Sequence, residues 1–118
     1  MDIKIGDYVR TTDGIIEKVI RIGKTRYIHE ECYQTDKKEA LYTEDIKTHS
    51  ENLIDLIEAG DIVNGNFVYF NEDFKKLGYD FIDGDNEIYF ESIYTYANLP
   101  REILTKEQYE RSCYNVEE

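Results

Sequence analysis

The chain of 118 residues is long enough for one compact domain or two very small modules. Hydrophobic residues make up 41% of it, which excludes a wholly disordered chain, and eleven Tyr with five Phe favour pleated, half-buried β surfaces. The formal net charge of −12 repels nucleic acid. We therefore expect no direct nucleic-acid partner.

The negative charge is concentrated in the second half of the chain. Residues 1–50 contain nine Lys/Arg and ten Asp/Glu, a net charge of −1. Residues 51–118 contain five Lys/Arg and sixteen Asp/Glu, a net charge of −11. A field of this sign attracts basic surfaces. The alternative is that the carboxylates only keep a small protein in solution.

Two features indicate a cytoplasmic protein. No stretch approaches the roughly 20 apolar residues that cross a bilayer, and the first six residues lack a basic region followed by an apolar run. Cys32 and Cys113 are far apart in a chain without an export signal, so we expect reduced thiols.

The first predicted elements are short strands. Residues 8–9 open a strand, Asp13-Gly14 is a turn dipeptide, and residues 15–22 form a β-branched run. Gly23-Lys24-Thr25 predicts the next turn, and residues 26–30 predict a third strand. A polar loop and two shorter strands follow.

Residues 50–60 fit three conformations. Ser50 could cap a helix that carries Leu53, Ile54 and Ile57 on one face and ends at Gly60. The segment is only about two turns long, so a bent strand or a 3₁₀ turn fits equally well.

A short internal echo predicts the domain organisation. In residues 5–16 and again in residues 59–68, Gly-Asp precedes a hydrophobic pair, a polar turn containing Gly follows, and a hydrophobic pair resumes. We predict a mainly β fold: two small SH3-like antiparallel modules or one twisted sheet, with one or two short helices. The modules would be residues 1–50 and an acidic C-terminal module, residues 51–118, within one compact unit.

The acidic half also contains a predicted hairpin and helix. Asp83-Gly-Asp-Asn86 is a turn between strands at residues 79–82 and 87–94. Thr105 caps a short helix, with Gln108 completing a capping box, and residues 112–116 predict a last strand.

Neither a metal site nor a catalytic site is indicated. A calcium loop starting at Asp83 needs Gly and Glu where the chain has Ile88 and Tyr94. A zinc site would have to combine scattered residues, namely His29, Cys32, His49 and Cys113. A cysteine nucleophile needs an oriented base, nothing in the sequence marks either cysteine as such, and no phosphate-binding loop is present. We expect no enzyme activity, no metal and no cofactor.

Carboxylates and aromatic residues are interleaved between residues 72 and 91. Spaced along strands, they can present negative charge at intervals comparable to a nucleic-acid backbone and so compete for a basic groove. The predicted partner-binding residues are Glu72, Asp73, Tyr79, Asp80, Asp83, Asp85, Glu87, Tyr89 and Glu91. The alternative is that the aromatic residues form the core and the acidic residues its solvated face.

Three segments carry a resemblance to a family: residues 4–14, residues 49–65 and residues 103–110. In them the chain resembles small proteins of mostly unknown function encoded by phages and prophages of Gram-positive bacteria. Residues 66–98 depart from this family, whose corresponding segment is less acidic and less aromatic.

The resemblance implies a phage protein that acts in the bacterial host. We expect an inhibitor of the anti-CRISPR type that binds a basic host defence protein, such as a nucleic-acid-guided nuclease, through the acidic hairpin. The alternative is a non-inhibitory phage accessory or assembly protein that binds other proteins through its β sheets. Tyr-rich strand edges also allow a homodimer.

Overall fold

The computed structural model describes residues 2–26, 30–95 and 100–112. Within these ranges the chain forms three antiparallel sheets, several 3₁₀ turns and one α-helix. The predicted mainly β class with a short helix is confirmed. The chain divides into two compact units, Met1–Leu56 and Ile57–Glu118. No helix in the described ranges is long and apolar enough to cross a membrane.

The first unit contains one five-stranded sheet. Its strands are β1 (Tyr8–Thr11), β2 (Ile16–Lys24), β3 (Glu31–Thr35), β4 (Ala40–Tyr42) and β5 (Ile46–Ser50). Their order in the sheet is β4-β3-β2-β1-β5, so the chain meanders through four strands and returns with β5 beside β1. One 3₁₀ turn (Thr43–Asp45) joins β4 to β5, and another (Leu53–Leu56) ends the unit.

The core of the first unit follows from the alternation of side chains along its strands. The buried cluster consists of Ile3, Val9, Val19, Tyr33, Leu41 and Ile46. Arg10 is also fully buried, and its Nη1 donates to the carbonyl of Leu56 at 2.9 Å. A hydrogen bond of this kind keeps a buried cation solvated by the chain itself.

The first turn is correctly predicted, but the turn predicted at residues 23–25 is wrong. Gly14 has a positive φ of 83°, and its amide donates to the carbonyl of Thr11 at 2.9 Å. Gly23 and Lys24, predicted as a turn, continue β2 and pair with β3, which begins at Glu31. Of the strand predicted at 26–30, residues 27–29 lie outside the described ranges. Pairing with a neighbouring strand outweighs the weak turn preference of a Gly-Lys pair.

The segment at residues 50–60 is resolved in favour of the 3₁₀ alternative. Ser50 is the last residue of β5, and its Oγ accepts from the amide of Asn52 at 3.0 Å. The 3₁₀ turn then begins at Leu53, with Leu56 fully buried. A serine hydroxyl that bonds a nearby amide competes with a longer helix, which explains the tight turn.

The second unit contains two three-stranded sheets. Its strands are β6 (Ile62–Val63), β7 (Asn66–Phe67), β8 (Tyr69–Asn71), β9 (Lys76–Ile82), β10 (Ile88–Ser92) and β11 (Ile103–Leu104). The sheets have the orders β10-β9-β8 and β11-β6-β7. A 3₁₀ turn (Ile93–Thr95) follows β10, and helix α1 (Lys106–Ser112) follows β11.

The two units repeat one strand path. Only Val68 separates β7 from β8, so together they correspond to β2, while β6, β9, β10 and β11 correspond to β1, β3, β4 and β5. In the first unit Gly6 donates to the carbonyl of Val19, and Val19 donates to the carbonyl of Asp7, both at 2.8 Å. The equivalent bonds of the second unit, also 2.8 Å, join Gly60, Asp61 and Val68. The sequence echo thus corresponds to a repeated fold, and the described residues do not form a single twisted sheet.

The helix at the end of the second unit is also correctly predicted. The side chain of Gln108 accepts from the amide of Thr105 at 3.2 Å, and the hydroxyl of Thr105 accepts from the amide of Gln108 at 3.3 Å. These two bonds form the capping box. Of the last strand predicted at 112–116, Ser112 ends α1 and residues 113–116 lie outside the described ranges.

Candidate functional site

Strands β9 and β10 form the predicted hairpin. The amide of Asp83 donates to the carbonyl of Glu87 at 3.0 Å, and its carboxylate accepts from the amides of Asp85 and Glu87 at 2.9 and 3.0 Å. Asn86 completes the turn with a φ of 62°, a conformation that asparagine tolerates well. Asp83 therefore acts in the turn as a structural residue.

This hairpin is longer than its counterpart in the first unit. The β3–β4 hairpin has the same turn, with Lys38 at a φ of 61°, but three residue pairs in its ladder against five in β9–β10. Its second pair from the turn, Tyr33 with Leu41, is buried. In β9–β10 the buried Tyr79 belongs to the fourth pair. The two additional pairs extend the hairpin by about 7 Å.

The two additional pairs are apolar and exposed. Ile82 pairs with Ile88, and Phe81 pairs with Tyr89, so both faces of the hairpin carry apolar side chains. Their exposed fractions are 38% for Phe81, 66% for Ile82, 68% for Ile88 and 44% for Tyr89. We call residues 81–89 the hairpin tip. Large apolar side chains exposed together in this way are typical of an interaction site.

Carboxylates surround the apolar side chains of the tip, and tyrosine hydroxyls orient three of the carboxylates of the hairpin. Tyr89 donates to Glu87 at 2.5 Å, and across the sheet Tyr69 donates to Asp80 at 2.6 Å. Each bond favours the neutral phenol and raises the pKa of Tyr69 and of Tyr89 above the ordinary tyrosine value. A third such bond, 2.8 Å long, joins Tyr79 to Glu91.

The pairing register separates these groups onto two faces. One face carries Glu87, Tyr89 and Glu91 on β10, opposite Phe81 and Tyr79 on β9. The rings of Phe81 and Tyr89 stack there with centroids 5.7 Å apart. The other face carries Ile82, Ile88, Asp80 and Phe90.

An aromatic cluster holds the base of the hairpin. The ring of Phe90 lies over Gly78, where a Cβ would meet the Cζ of Phe90 at 2.5 Å. Phe90 stacks on Phe74 at 5.4 Å and contacts the edge of Tyr69 at 5.5 Å between centroids. Ring packing therefore supports the hairpin at its base, below the tip.

The predicted partner-binding residues do not all lie together in the structure. Asp83, Asp85, Glu87 and Tyr89 lie in the tip. Tyr79, Asp80 and Glu91 lie on the ladder below it, with Asp80 on the opposite face from the other two. Glu72 and Asp73 lie in the turn between β8 and β9, about 20 Å along the strand from the tip.

The sequence-based prediction missed part of the apolar tip. Ile82 and Ile88 were predicted only as strand residues, and Phe81 only as one of the aromatic residues between the carboxylates. The available signal was a pair of adjacent apolar residues on each side of the turn. Adjacent residues of a strand face opposite sides of the sheet, so only one residue of each pair could pack against a core and the other must be exposed.

Two of the four residues considered for zinc, Cys32 and His49, lie within the described ranges. Cys32 is a free, half-buried thiol in β3, and the Nδ1 of His49 lies 3.3 Å from the carboxylate of the buried Asp7. His29 and Cys113 lie outside the described ranges. In the part of the chain that the structure describes, no group of three or more His, Cys, Asp or Glu side chains could hold a metal ion.

Comparison of the chain with protein-family models, with curated proteins and with solved structures found no match. The resemblance to phage-encoded proteins therefore stays a prediction.

Proposed function

We propose that the chain is a non-catalytic binding protein whose hairpin tip contacts a basic surface of a partner protein. One observation carries this proposal: four exposed apolar side chains lie on an extension that the equivalent hairpin of the first unit lacks. The fold of the repeat does not require that extension. A solvent-exposed apolar extension costs solubility, so we infer that a partner covers it.

The charge around the tip indicates a basic partner. Residues 57–118 contain five Lys/Arg and fourteen Asp/Glu, a net charge of −9. Such a field steers basic proteins towards the tip, while burial of apolar side chains and tyrosine rings supplies most of the affinity.

The sequence resemblance extends the proposal to a class of partner. We infer a phage-derived inhibitor that acts in the bacterial cytoplasm on a host defence protein, its carboxylates competing with nucleic acid for a basic groove. We also infer that each unit is a small SH3-like module, since the fifth strand of its path returns beside the first. The identity of the partner class rests on the resemblance alone.

A second candidate function is a phage accessory or assembly protein that binds through its sheets. Its supporting observation is that β4 and β10 lie at sheet edges. Co-purification with phage particles, and not with host nucleases, would favour this candidate.

The test compares variants of the full chain in binding to a protein captured from host lysate. Asp85→Lys with Glu87→Lys, and separately Ile82→Ser with Ile88→Ser, should weaken binding at least about tenfold, because they change the tip and leave the turn residue Asp83 in place. Glu72→Lys with Asp73→Lys is the control, since it changes the net charge equally at the other end of β9. Tip variants that bind as tightly as the wild type would rule out the tip as the contact.

A further inference from the structure

Strand β10 lies at the edge of its sheet. It pairs with β9 on one side, and within the described ranges no strand pairs with its other side. The hydrogen bond from the amide of Asp83 to the carbonyl of Glu87 fixes which residues of β10 bond to β9, because such residues alternate along an antiparallel ladder. The backbone groups of Glu87, Tyr89 and Glu91 therefore point towards β9. Ile88 and Phe90 then direct their backbone N–H and C=O groups outwards. An edge of this kind is a template for another strand.

The side chains along this edge alternate in a regular way. Glu87, Tyr89 and Glu91 follow one another on one face at intervals of about 7 Å, so the two glutamates are about 13 Å apart. Tyrosine hydroxyls hold the Oε2 atoms of both glutamates, and their Oε1 atoms have no partner among the described residues. Ile88 and Phe90 lie between them on the other face.

We propose that the outer edge of β10 binds an extended basic segment of the partner as an added antiparallel strand. This inference rests on the proposed function and specifies its contact. In such a strand, residues i and i+4 lie beside Glu91 and Glu87, and residue i+2 lies beside Tyr89. The segment that fits has Lys or Arg at i and i+4 and apolar residues at i+1 and i+3, which lie beside Phe90 and Ile88.

Arginine fits positions i and i+4 better than lysine. Its guanidinium bonds a carboxylate through two N–H groups and stacks on an aromatic ring, and each glutamate of β10 is next to Tyr89 on the same face. The carboxylates are already oriented by their tyrosines, so little conformational entropy is lost on binding.

Charge complementarity also selects against a second copy as the added strand. Pairing of two β10 edges would bring together two units with a net charge of −9 each. It would also place the carboxylates of two hairpins side by side, and like charges across a ladder are unfavourable.

The probe is a pair of synthetic peptides of one composition. The first contains Arg-Val-Tyr-Val-Arg between glycines, with arginines at i and i+4. The second contains Arg-Val-Tyr-Arg-Val, which puts the arginines on opposite faces of an extended strand. Titrated into the full chain and followed by backbone amide NMR shifts, the first peptide should bind at least about tenfold more tightly and shift the amides of residues 87–92.

Two chemical changes distinguish the addition of a strand to β10 from non-specific attraction between a basic peptide and an acidic protein. Glu87→Gln with Glu91→Gln should remove the preference for the first peptide, because the amides keep the shape and remove the charge. Methylation of the two valine nitrogens, which face β10, should abolish binding, whereas methylation of the central tyrosine nitrogen, which faces away, should not.

The outcomes distinguish this inference from the proposed function. Equal affinity of the two peptides, or binding of the valine-methylated peptide, would overturn strand addition while leaving a basic contact at the tip. Self-association of the chain with shifts at residues 87–92 in the absence of peptide would identify a second copy and also overturn it. Failure of the proposed function would be seen in the capture experiment, in which the tip variants would bind the partner as tightly as the wild type.

Discussion

Tyrosine side chains organise the acidic surface of the second unit residue by residue. Tyr69, Tyr79 and Tyr89 each donate to a different carboxylate, and the carbons of the same rings pack against the sheet or against each other. One residue type therefore supplies both apolar contact and fixed orientation of charge, which explains the high tyrosine content at an acidic surface.

Gly78→Ala should destabilise the second unit. An added Cβ would lie 2.1 Å from the carbonyl oxygen of Glu91 and 2.5 Å from the ring of Phe90, so the ladder or the ring must move. We expect a loss of about 1–3 kcal/mol in the free energy of unfolding, measured by urea denaturation. Gly84→Ala is the control, because nothing lies within 4 Å of its added Cβ. Equal stability of the two variants would show that the ring of Phe90 does not pack over Gly78 as described.

Glu17→Gln should change how stability depends on pH. Burial raises the pKa of Glu17, and the hydrogen bond from Thr35, 2.7 Å long, offsets this only in part. Because the folded pKa is above the unfolded one, the contribution of Glu17 is present below about pH 4 and is lost as pH rises through the folded pKa. Glutamine keeps the acceptor for Thr35 and cannot ionise.

Urea unfolding of wild type and Glu17→Gln across pH 4 to 8 checks this. The stability of the variant relative to the wild type should increase as pH rises from about 4 and then become constant. A difference that is the same at every pH would contradict the account.

At the scale of elements, the β9–β10 hairpin combines a structural part and an extension. Four of its residues, Phe81, Ile82, Ile88 and Tyr89, form the additional pairs, while the fourth pair carries the buried Tyr79. Removing two residues from each strand preserves the alternation of faces, since the side-chain period of a strand is two.

Deletion of residues 81–82 and 88–89 should therefore leave the fold intact. We expect the free energy of unfolding to change by less than about 1 kcal/mol, because the deleted side chains are exposed. Tyr79→Ala with Phe90→Ala is the control and should cost about 3 kcal/mol or more, since it removes the Tyr79 ring from the core and the Phe90 ring from its cluster. A loss from the deletion comparable to that of the control would mean that the tip stabilises the fold.

Local patterns predicted some elements and not others. The turn at Asp83–Asn86 and the capping box at Thr105 depend on bonds within a few residues, so sequence alone predicts them. The turn at residues 23–25 was wrongly predicted because the extension of β2 through Gly23 and Lys24 depends on pairing with β3. The exposure of Ile82 and Ile88 depends on the length of the hairpin relative to the core, and the adjacent apolar residues on each side of the turn indicate it only indirectly.

For the whole molecule, the repeat shows where the two units differ. Both follow one strand path, but residues 1–56 contain nine Lys/Arg and twelve Asp/Glu, a net charge of −3, against −9 for residues 57–118. The longer hairpin and the additional charge occur in the same unit. An extension that is apolar at its tip and acidic around it is consistent with a binding role superimposed on a duplicated scaffold.

Comparative capture from host lysate shows whether the hairpin tip is the contact surface. Wild type, the deletion of residues 81–82 and 88–89, and Glu72→Lys with Asp73→Lys are immobilised at equal density, and the captured proteins are quantified. We expect a protein that is retained by the wild type and by the Glu72/Asp73 variant, lost with the deletion, and released from the wild type as salt is raised. Equal retention by the deletion variant would contradict it.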